Sequence, residues 1–246
     1  ALANQKGGCG KTTTAVNLAA GLTLKNQKVL LIDMDSQANT TSVFFNPNEL
    51  EKTMEDVLIN KTALKDVIIP TKIKNLDLAP SDIMLSAVDI RLANVLGREN
   101  ILKRRLKNLN NYDYIIIDTP PSLGLLTINS LTASEGVIIP ISMSYFALKG
   151  IKLLEETIEE IKKNLDHPHL KIIGVLATCY DPITNVSKDA LRFIQDYFKD
   201  LCFKTIIRKN IRLEEAHSAG KSIFEYDPKS SGAEDYNNFI EEVLKL

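Results

Sequence analysis

The sequence predicts an α/β fold with a doubly wound, mostly parallel sheet that carries helices on both faces. Short β-rich runs alternate with helical stretches along the chain, and this alternation is typical of βαβ units. The runs at residues 112–117 (YDYIII) and 136–141 (GVIIPI) are nearly continuously apolar, as expected for strands buried on both faces of a parallel sheet. The length of 246 residues and the apolar content of 44% suit one large α/β domain over residues 1–246.

The predicted strands are residues 28–32, 76–79, 112–117, 136–141, 172–177 and 203–206. Helices are predicted where apolar residues recur three and four positions apart, at residues 12–25, 151–165, 187–198 and 234–244. Residues 50–110 have mixed charges and indicate only several short helices. In a sheet of this kind, ligands bind at the carboxyl ends of the strands. Residues 1–4 are fewer than the roughly 5 of a normal strand, so we expect native residues before Ala1.

The composition restricts the classes of partner and site. The chain has 30 basic and 31 acidic residues and a net charge of −1, so any DNA-binding surface has to be a local patch. The cysteines Cys9, Cys179 and Cys202 are odd in number and lack CxxC spacing, which argues against a disulfide framework or a zinc site. A reducing cytoplasm is the simplest setting. No apolar run reaches the roughly 18 residues of a membrane span, and no signal peptide is visible.

A glycine-rich loop at residues 7–13 (GGCGKTT) follows the first short strand and precedes the first predicted helix. This context predicts a phosphate-binding P-loop, because glycines let the backbone approach phosphates and the following helix presents its positive end. We expect Lys11 to reach the β- and γ-phosphates and Thr12 to ligate Mg²⁺ through its hydroxyl. The remaining loop contacts are expected at Gly7, Gly8, Cys9, Gly10 and Thr13. The alternative is a glycine turn that only tightens a strand–helix connection.

The predicted strand at residues 112–117 ends in Asp118, which places a carboxylate at the carboxyl end of the sheet beside the loop. This pattern is typical of a Walker B strand, whose aspartate holds Mg²⁺, here through a water molecule. The alternative is an ordinary aspartate in a turn after a strand. The residues that follow, Thr119, Pro120 and Pro121, form a stiff segment that is suited to sensing the γ-phosphate as a switch.

At these residues the sequence resembles the ParA/MinD family of deviant Walker A ATPases. A lysine directly before the first loop glycine, here Lys6, is the mark of that family. Residues 31–39 (LIDMDSQAN) resemble its Walker A′ motif and residues 114–121 its Walker B motif, and the similarity continues at residues 122–134, 145–150 and 226–233. The resemblance covers nearly the whole chain and is closest to the ParA/Soj branch, which segregates chromosomes and plasmids. It implies a P-loop NTPase fold with ATP and Mg²⁺ as cofactors.

The resemblance implies that Lys6, Lys11 and Asp35 are catalytic. Two ATP-bound subunits would face each other, and Lys6 of one would neutralise charge on the phosphates of the other, as an arginine finger does. Asp35 would position or activate the attacking water. Thr12, Asp33 and Asp118 would form the magnesium shell. Two alternatives stay open, that Lys6 is a solvated loop lysine and that Asp33 is a helix N-cap.

The adenine pocket of relatives lies near segments that match residues 178–181 and 207–210 here. The implied base contacts are Thr178, Ile207, Arg208, Lys209 and Asn210. Arg208 replaces the usual proline of the family and Lys209 the usual arginine, which puts this part of the resemblance in question. The choice of ATP is implied by the family alone, because P-loop chemistry does not exclude GTP.

The resemblance also implies non-specific DNA binding by the dimer, which requires basic residues that release counterions from the phosphate backbone. The candidate residues are Lys204, Arg208, Lys209, Arg212 and Lys221. Glu214, Glu215 and Glu225 dilute this patch, and Ile183 stands where the Soj branch commonly carries another DNA-contact arginine. The alternative is a solvated face of mixed charge. A ParB-like partner that speeds slow ATP hydrolysis, and association with the nucleoid in the ATP-bound state, are further implications.

Two rival classes of ATPase share parts of this pattern. A MinD-like membrane-cycling ATPase needs a basic amphipathic helix at its C-terminus, but residues 234–246 carry four acids and a single lysine. That segment is better explained as a helix packed on the domain, so no stable membrane association is expected. An iron–sulfur ATPase needs cysteines paired across a dimer, which the spacing of the three cysteines does not favour. An ATPase that positions a protein cargo remains open.

Overall fold

A computed structural model describes residues 1–144 and 149–246 of the chain. The strands are β1 (Val29–Asp33), β2 (Ile69–Pro70), β3 (Leu76–Ala79), β4 (Tyr114–Asp118), β5 (Gly136–Ser142), β6 (Lys171–Tyr180) and β7 (Cys202–Arg208). The helices are α1 (Lys11–Leu24), α2 (Asn39–Phe44), α3 (Met54–Leu58), α4 (Val88–Arg91), α5 (Ile101–Leu106), α6 (Leu125–Thr132), α7 (Lys149–Asn164), α8 (Asn185–Phe198), α9 (Ile211–Ser218), α10 (Ile223–Tyr226) and α11 (Ser231–Val243). Most of the family-like segment at residues 145–150 lies outside the described residues.

The strand order confirms the predicted doubly wound fold. Strands β2, β3, β1 and β4 lie side by side in that order, and β5, β6 and β7 form a second row. Residues 1–3 join the rows, because the Leu2 amide donates to the Ile117 carbonyl at 2.9 Å and the Ala3 amide to the Ile138 carbonyl at 3.1 Å. The described strands pair in parallel except β2, which runs antiparallel to β3. The glycine loop, Asp33 and Asp118 therefore meet at one edge of the sheet.

The predicted strands are all present, and their ends shift by a few residues at most. Helix α8 begins two residues earlier than predicted because the Thr184 hydroxyl accepts a hydrogen bond from the Ser187 amide and caps its first turn. The strand β2 was not predicted, since its two residues are too few to form a pattern. The unclear region at residues 50–110 contains the short helices α3, α4 and α5, as expected.

Helices cover both faces of the sheet. Helices α1, α9, α10 and α11 bury apolar side chains against one face, while α3 to α6 cover part of the other face and α7 and α8 cover the rest. Every residue of β1 is buried, which explains the apolar character of its sequence. Gly21 allows α11 to lie directly against α1, because a Cβ atom there would overlap the Ile240 side chain.

The C-terminal helix α11 packs on the domain, as predicted from its acidic residues. Its side chains Phe239 and Ile240 are 0% exposed, and the Tyr236 hydroxyl lies 3.1 Å from the Thr14 hydroxyl of α1. The apolar face of α11 is therefore buried in the core rather than presented to a lipid surface. None of the helices described in the chain has the length and apolar content needed to cross a membrane.

Candidate functional site

The glycine loop connects residue Ala3 to helix α1 and has the backbone of an anion site. Gly8 and Gly10 adopt positive φ values of 69° and 80°, a conformation that glycine reaches without steric cost. Helix α1 begins at Lys11, and the Thr14 amide donates to the Gly10 carbonyl at 2.9 Å. The amides of the first helical turn have no acceptor within the helix, and they carry the positive end of its dipole. The loop is therefore suited to bind phosphate oxygens.

Two side chains hold the loop in shape. The Lys11 ammonium group is nearly buried and donates to the Lys6 carbonyl at 3.3 Å, so its side chain lies across the loop. The Thr178 hydroxyl, at the end of β6, donates to the Cys9 carbonyl at 2.8 Å and its side chain also contacts Gly10. Burial raises the pKa of the Cys9 thiol, which keeps it protonated. Thr178 thus supports the loop, whereas the sequence analysis assigned it to the base.

Asp118 lies at the end of β4 and has one free oxygen. Its Oδ2 atom accepts hydrogen bonds from the Thr12 hydroxyl at 2.8 Å and the Thr40 hydroxyl at 2.7 Å. Its Oδ1 atom is buried and accepts no hydrogen bond from the described residues. Burial raises the pKa of Asp118 to about 6. A buried polar atom without a partner is uncommon in proteins and calls for a cation or a water molecule. The Thr12 and Asp118 oxygens therefore fit Mg²⁺.

Asp33, at the end of β1, has both oxygens engaged by the protein. Oδ1 accepts from the Asp35 amide at 3.0 Å, and Oδ2 accepts from the Thr41 amide at 2.8 Å and the Thr41 hydroxyl at 2.7 Å. Thr41 lies in the first turn of α2, where backbone amides have no acceptor within the helix. Asp33 supplies such an acceptor from outside the helix and so performs a capping role. Both Asp33 oxygens thus have protein donors, while the N-cap position of α2 itself is Ala38. The place of Asp33 in the magnesium shell stays a prediction.

A cation at this site would need further oxygen ligands from outside the chain. Among the described residues, no group of three or more histidine, cysteine, aspartate or glutamate side chains could hold a metal ion. Mg²⁺ is usually bound by one or two protein oxygens together with substrate phosphates and water. The pair formed by Thr12 and Asp118 matches that pattern.

Asp35 is also nearly buried and faces the cleft beside the loop. Its Oδ1 atom accepts from the Gln37 amide at 3.0 Å, and its carbonyl accepts from the Ser81 hydroxyl at 2.7 Å. Ser81 follows β3, so the position of Asp35 depends on a neighbouring strand. The roles of Ser81 and Thr40 were not predicted. Ser81 is a hydroxyl residue close to the carboxyl end of β3, which was an available signal, whereas Thr40 lies in α2.

The cleft has a volume of about 520 Å³. Its walls are formed by the glycine loop and by residues of three other segments, which are Asp35, Gln37, Asn39, Pro121, Leu213, Glu214, His217 and Ser218. Helix α9 thus lines the same cleft as the glycine loop. Burial lowers the pKa of His217, so its imidazole is neutral at pH 7. The α9 residues were missed by the sequence analysis, although the spacing of four between Leu213 and His217 places them on one helical face.

The base contacts implied at residues 207–210 do not line this cleft. Ile207 is 2% exposed and belongs to the core between the sheet and α11. Arg208 donates to Asp235 through its Nε and Nη2 atoms and pairs with Glu234 as well, so its guanidinium ties β7 to α11. The Asn210 side chain caps α9 by accepting from the Arg212 amide at 2.9 Å. The three side chains thus have structural partners elsewhere, and the base contacts at these residues stay a prediction.

Lys6 extends away from the glycine loop toward the end of β5. Its ammonium group donates to the Ser144 hydroxyl at 2.5 Å, and its amide donates to the Asn4 side chain at 3.0 Å. The side chain is half-buried. Lys6 is therefore held by residues of its own subunit. This placement differs from the alternative in which its side chain is freely solvated.

The candidate DNA-contact residues differ in whether their charges are paired within the chain. The Arg208 guanidinium is bound by two carboxylates, one of them nearly buried, so its charge is already paired within the chain. Arg212 pairs with Glu215 at 2.7 Å and lies 3.7 Å from Asp227. The exposed lysines are Lys204, Lys209 and Lys221. Lys204 lies on β7, whereas Lys209 follows the end of that strand.

Comparison with known proteins identifies the family. The family described as an AAA domain matches residues 1–172. The chain is 46% identical over 245 residues to the sporulation initiation inhibitor protein Soj of Bacillus subtilis, with 99% of this chain and 96% of that protein covered. It is 40% identical over 246 residues to the chromosome partitioning protein ParA of Myxococcus xanthus, with 99% and 87% covered.

A solved structure has the same architecture. The structure is a cobyrinic acid a,c-diamide synthase from Mycobacterium smegmatis with bound ATP analog and magnesium, and it superimposes with a TM-score of 0.86 at 33% identity. The superposition covers 99% of this chain and 93% of that chain. Together with the glycine loop preceded by Lys6, these similarities show that the chain belongs to the ParA/Soj branch of the ParA/MinD family of deviant Walker A ATPases.

Proposed function

We propose that this chain is a Mg²⁺-dependent ATP hydrolase that dimerises on binding ATP, binds DNA without sequence preference and partitions chromosomes or plasmids. The observation that carries the nucleotide chemistry is the unpartnered Oδ1 atom of Asp118, buried beside the Thr12 hydroxyl at the foot of the glycine loop. The partitioning role is supported by the high identity to Soj and ParA proteins over nearly the whole chain.

In this proposal the residues of the loop bind and orient the triphosphate. The amides at the start of α1 accept its charge, and Lys11 turns from the Lys6 carbonyl toward the β- and γ-phosphates. Thr12 and Asp118 hold Mg²⁺, which neutralises charge on the phosphate oxygens when bound. Helix α9 lies beside the first turn of α1, so its face with Leu213 and His217 takes the nucleoside.

Asp35 orients the attacking water, because its carboxylate is held in the cleft by the Gln37 amide while its backbone is held by Ser81. Lys6 leaves Ser144 and contacts the phosphates of the second subunit, where a cation stabilises charge in the transition state. Hydrolysis removes the γ-phosphate and with it the contact that holds the dimer together. A ParB-like partner speeds this otherwise slow step.

DNA binding in the proposal rests on Lys209, Arg212 and Lys221, which are exposed on the α9 side of the molecule. The ion pairs of Arg212 are exposed, so they are weak and can be exchanged for DNA phosphates. The membrane-cycling alternative is less well supported, because the apolar face of α11 is buried in the core. An ATPase that positions a protein cargo would share the same nucleotide chemistry.

The proposal is tested with Asp35→Ala protein, which is expected to bind ATP and dimerise without hydrolysing it. Its binding to random-sequence duplex DNA is measured with ATP, ADP or no nucleotide at two salt concentrations, and anionic liposomes serve as a parallel surface. Salt-sensitive binding to DNA with ATP alone is the expected result. Binding to liposomes without binding to DNA would instead assign the membrane-cycling function, and failure on both surfaces would leave a protein target.

A further inference from the structure

Helix α5 carries a row of basic side chains on the face of the sheet opposite α9. Residues 100–112, which contain this helix, include four basic and no acidic residues. The exposed side chains of Lys103, Arg104 and Lys107 border one another, because positions three and four apart on a helix are neighbours on its surface. Like charges at this spacing lower the stability of a helix. The row therefore indicates a surface that is kept for an anionic partner.

The acidic residues around α5 have partners within the chain. Helix α3 and residues 82–107 together contain six basic and five acidic residues, so this region as a whole is nearly neutral. Each of the five acids is bound to an arginine or to a backbone amide, and they are Glu55, Asp56, Asp82, Asp89 and Glu99. Helix α6, which packs beside α5, has no charged residue, and Glu135 follows its C-terminal end. Among the described residues, no carboxylate pairs with the cations of residues 103–107, so the positive charge that stays available lies on this helix.

Exposed apolar side chains lie beside the basic row. Ile90 in α4 is 81% exposed, and Val95 and Leu96 in the loop that follows are 42% and 96% exposed. The Arg104 guanidinium reaches this loop, because a Cβ atom on Gly97 would lie 3.2 Å from its Nη1 atom. The apolar and basic side chains thus form one surface. This surface, here called the α5 surface, consists of Ile90, Val95, Leu96, Lys103, Arg104 and Lys107.

The loop that carries Leu96 is held in a defined shape. Arg98 donates to the Ala93 carbonyl at 2.7 Å, and the Ala93 amide donates to the Ile90 carbonyl at 3.2 Å. The Asn129 side chain of α6 donates to the Arg98 carbonyl at 2.9 Å and ties the loop to the domain. Neighbouring apolar side chains that stay exposed on a folded domain indicate an interaction site. A loop that is already ordered loses little conformational entropy when a partner binds.

We propose that the α5 surface is the docking site of an acidic amphipathic helix from a partner protein. Apolar side chains of that helix pack on Ile90 and Leu96, and its glutamates or aspartates face the cations of α5. Because α5 and α9 lie on opposite faces of the sheet, the chain can hold this partner while its α9 side contacts DNA as in the proposed function.

The combination of apolar and basic side chains favours this partner over other anions. Nucleic acid phosphates would pair with the cations of α5 but would leave Ile90 and Leu96 in water. An anionic lipid surface would accept Leu96 but would repel Asp89, which is exposed next to Ile90. A second copy of the α5 surface would bring like charges together.

The test uses a fluorescein-labelled helical peptide of about 18 residues, which is about 27 Å long as a helix. It carries leucine along one side and glutamate beside the leucines, and a matched peptide carries lysine in place of glutamate. Binding is measured by fluorescence anisotropy to the wild type, to Leu96→Ser and to the charge-reversed Lys103→Glu/Lys107→Glu variant. The control is Lys229→Glu/Lys245→Glu, which makes the same change in net charge at exposed lysines near α11. Thermal unfolding is recorded for each protein, and binding of duplex DNA and of anionic vesicles is measured in parallel.

The glutamate peptide is expected to bind the wild type and the control variant equally and to bind both α5-surface variants at least about tenfold more weakly. The loss in the charge-reversed variant should shrink as salt rises, whereas the loss in Leu96→Ser should persist. The proposal would be overturned if the glutamate peptide failed to bind the wild type, bound all variants equally or bound no better than the lysine peptide. It would also be overturned if the charge-reversed variant lost binding to DNA or vesicles but kept binding to the peptide. None of these results would affect the proposed ATPase function, because no residue of the α5 surface lines the nucleotide cleft.

Discussion

The ammonium group of Lys6 donates a hydrogen bond of 2.5 Å to the hydroxyl of Ser144, a residue 138 positions away in the chain. The contact joins the start of the glycine loop to the segment that follows β5. It keeps the lysine within its own subunit, whereas the proposed mechanism needs that lysine at the phosphates of a second subunit. In the proposed mechanism, Ser144 therefore competes with the second subunit for the same side chain.

Substitution of Ser144 by alanine is expected to favour the ATP-bound dimer. Loss of one hydrogen bond to a lysine should tighten dimerisation by about threefold to tenfold. The measurement is sedimentation velocity with ATP in the Asp35→Ala background, which prevents turnover. Ser142→Ala is the matched control, because its hydroxyl lies 3.5 Å from that of Ser144 but does not contact Lys6. Identical dimerisation of all three proteins would show that the contact does not restrain Lys6.

Substitution of Lys11 by alanine is expected to abolish measurable ATP binding. The ammonium group is nearly buried in the loop, and the charge-assisted bonds that it makes to phosphates have no substitute nearby. A loss of affinity of about 100-fold or more is expected by isothermal titration calorimetry. Unchanged affinity, with the fold intact by circular dichroism, would reject the glycine loop as the phosphate site.

Substitution of Thr40 by alanine is expected to weaken Mg²⁺ binding in the presence of ATP. The Thr40 hydroxyl donates to Asp118 at 2.7 Å and fixes the orientation of the carboxylate. Removal of such a supporting hydrogen bond costs about tenfold to 100-fold in metal affinity at other sites. The Mg²⁺ dependence of hydrolysis gives the measurement, and Thr40→Ser, which retains the hydroxyl, should behave like the wild type. An equal loss in both variants would point to packing of the Thr40 methyl group instead.

The pH dependence of stability is expected to reveal the buried Asp33. Burial, with the nearby Asp118 charge, raises the pKa of Asp33 from 3.8 to about 7. The native state therefore holds a proton that the unfolded state releases, so this contribution to stability is complete below pH 4 and is lost as the pH rises through about 7. His217 acts in the opposite direction, because burial lowers its pKa.

Urea unfolding without nucleotide or Mg²⁺ separates the two effects. The free energy of unfolding of the wild type should fall between pH 5 and pH 8. That of Asp33→Asn should fall less, by on the order of 2 kcal/mol, because asparagine does not titrate. The overall stability of the variant is expected to be lower, because its amide nitrogen cannot accept the hydrogen bonds from Thr41. Parallel pH profiles for the two proteins would mean that Asp33 does not carry a raised pKa.

The predictable part of the site consists of residues whose roles depend on local sequence. The glycines and Lys11 act through a loop of consecutive residues, and the alternation of strand and helix puts Asp118 at the same edge of the sheet. The base contacts at Ile207 and Arg208 rest on resemblance to a family segment in which this chain has different residues, and they stay predictions. The role of Asp33 could not be predicted from local sequence, because a carboxylate at a strand end is a suitable ligand for either a cation or the first turn of a helix.

By itself the sequence determined the α/β fold, the glycine loop and the family, because hydrophobic periodicity and a short glycine motif are encoded by neighbouring residues. Only the tertiary structure decided which partners those residues have. Thr40 is 78 positions from Asp118, Ser81 is 46 from Asp35, and Ser144 is 138 from Lys6. Such contacts follow from the order of the parallel strands in the sheet. The residues next to a hydroxyl in the sequence do not show which carboxylate or lysine another segment places beside it.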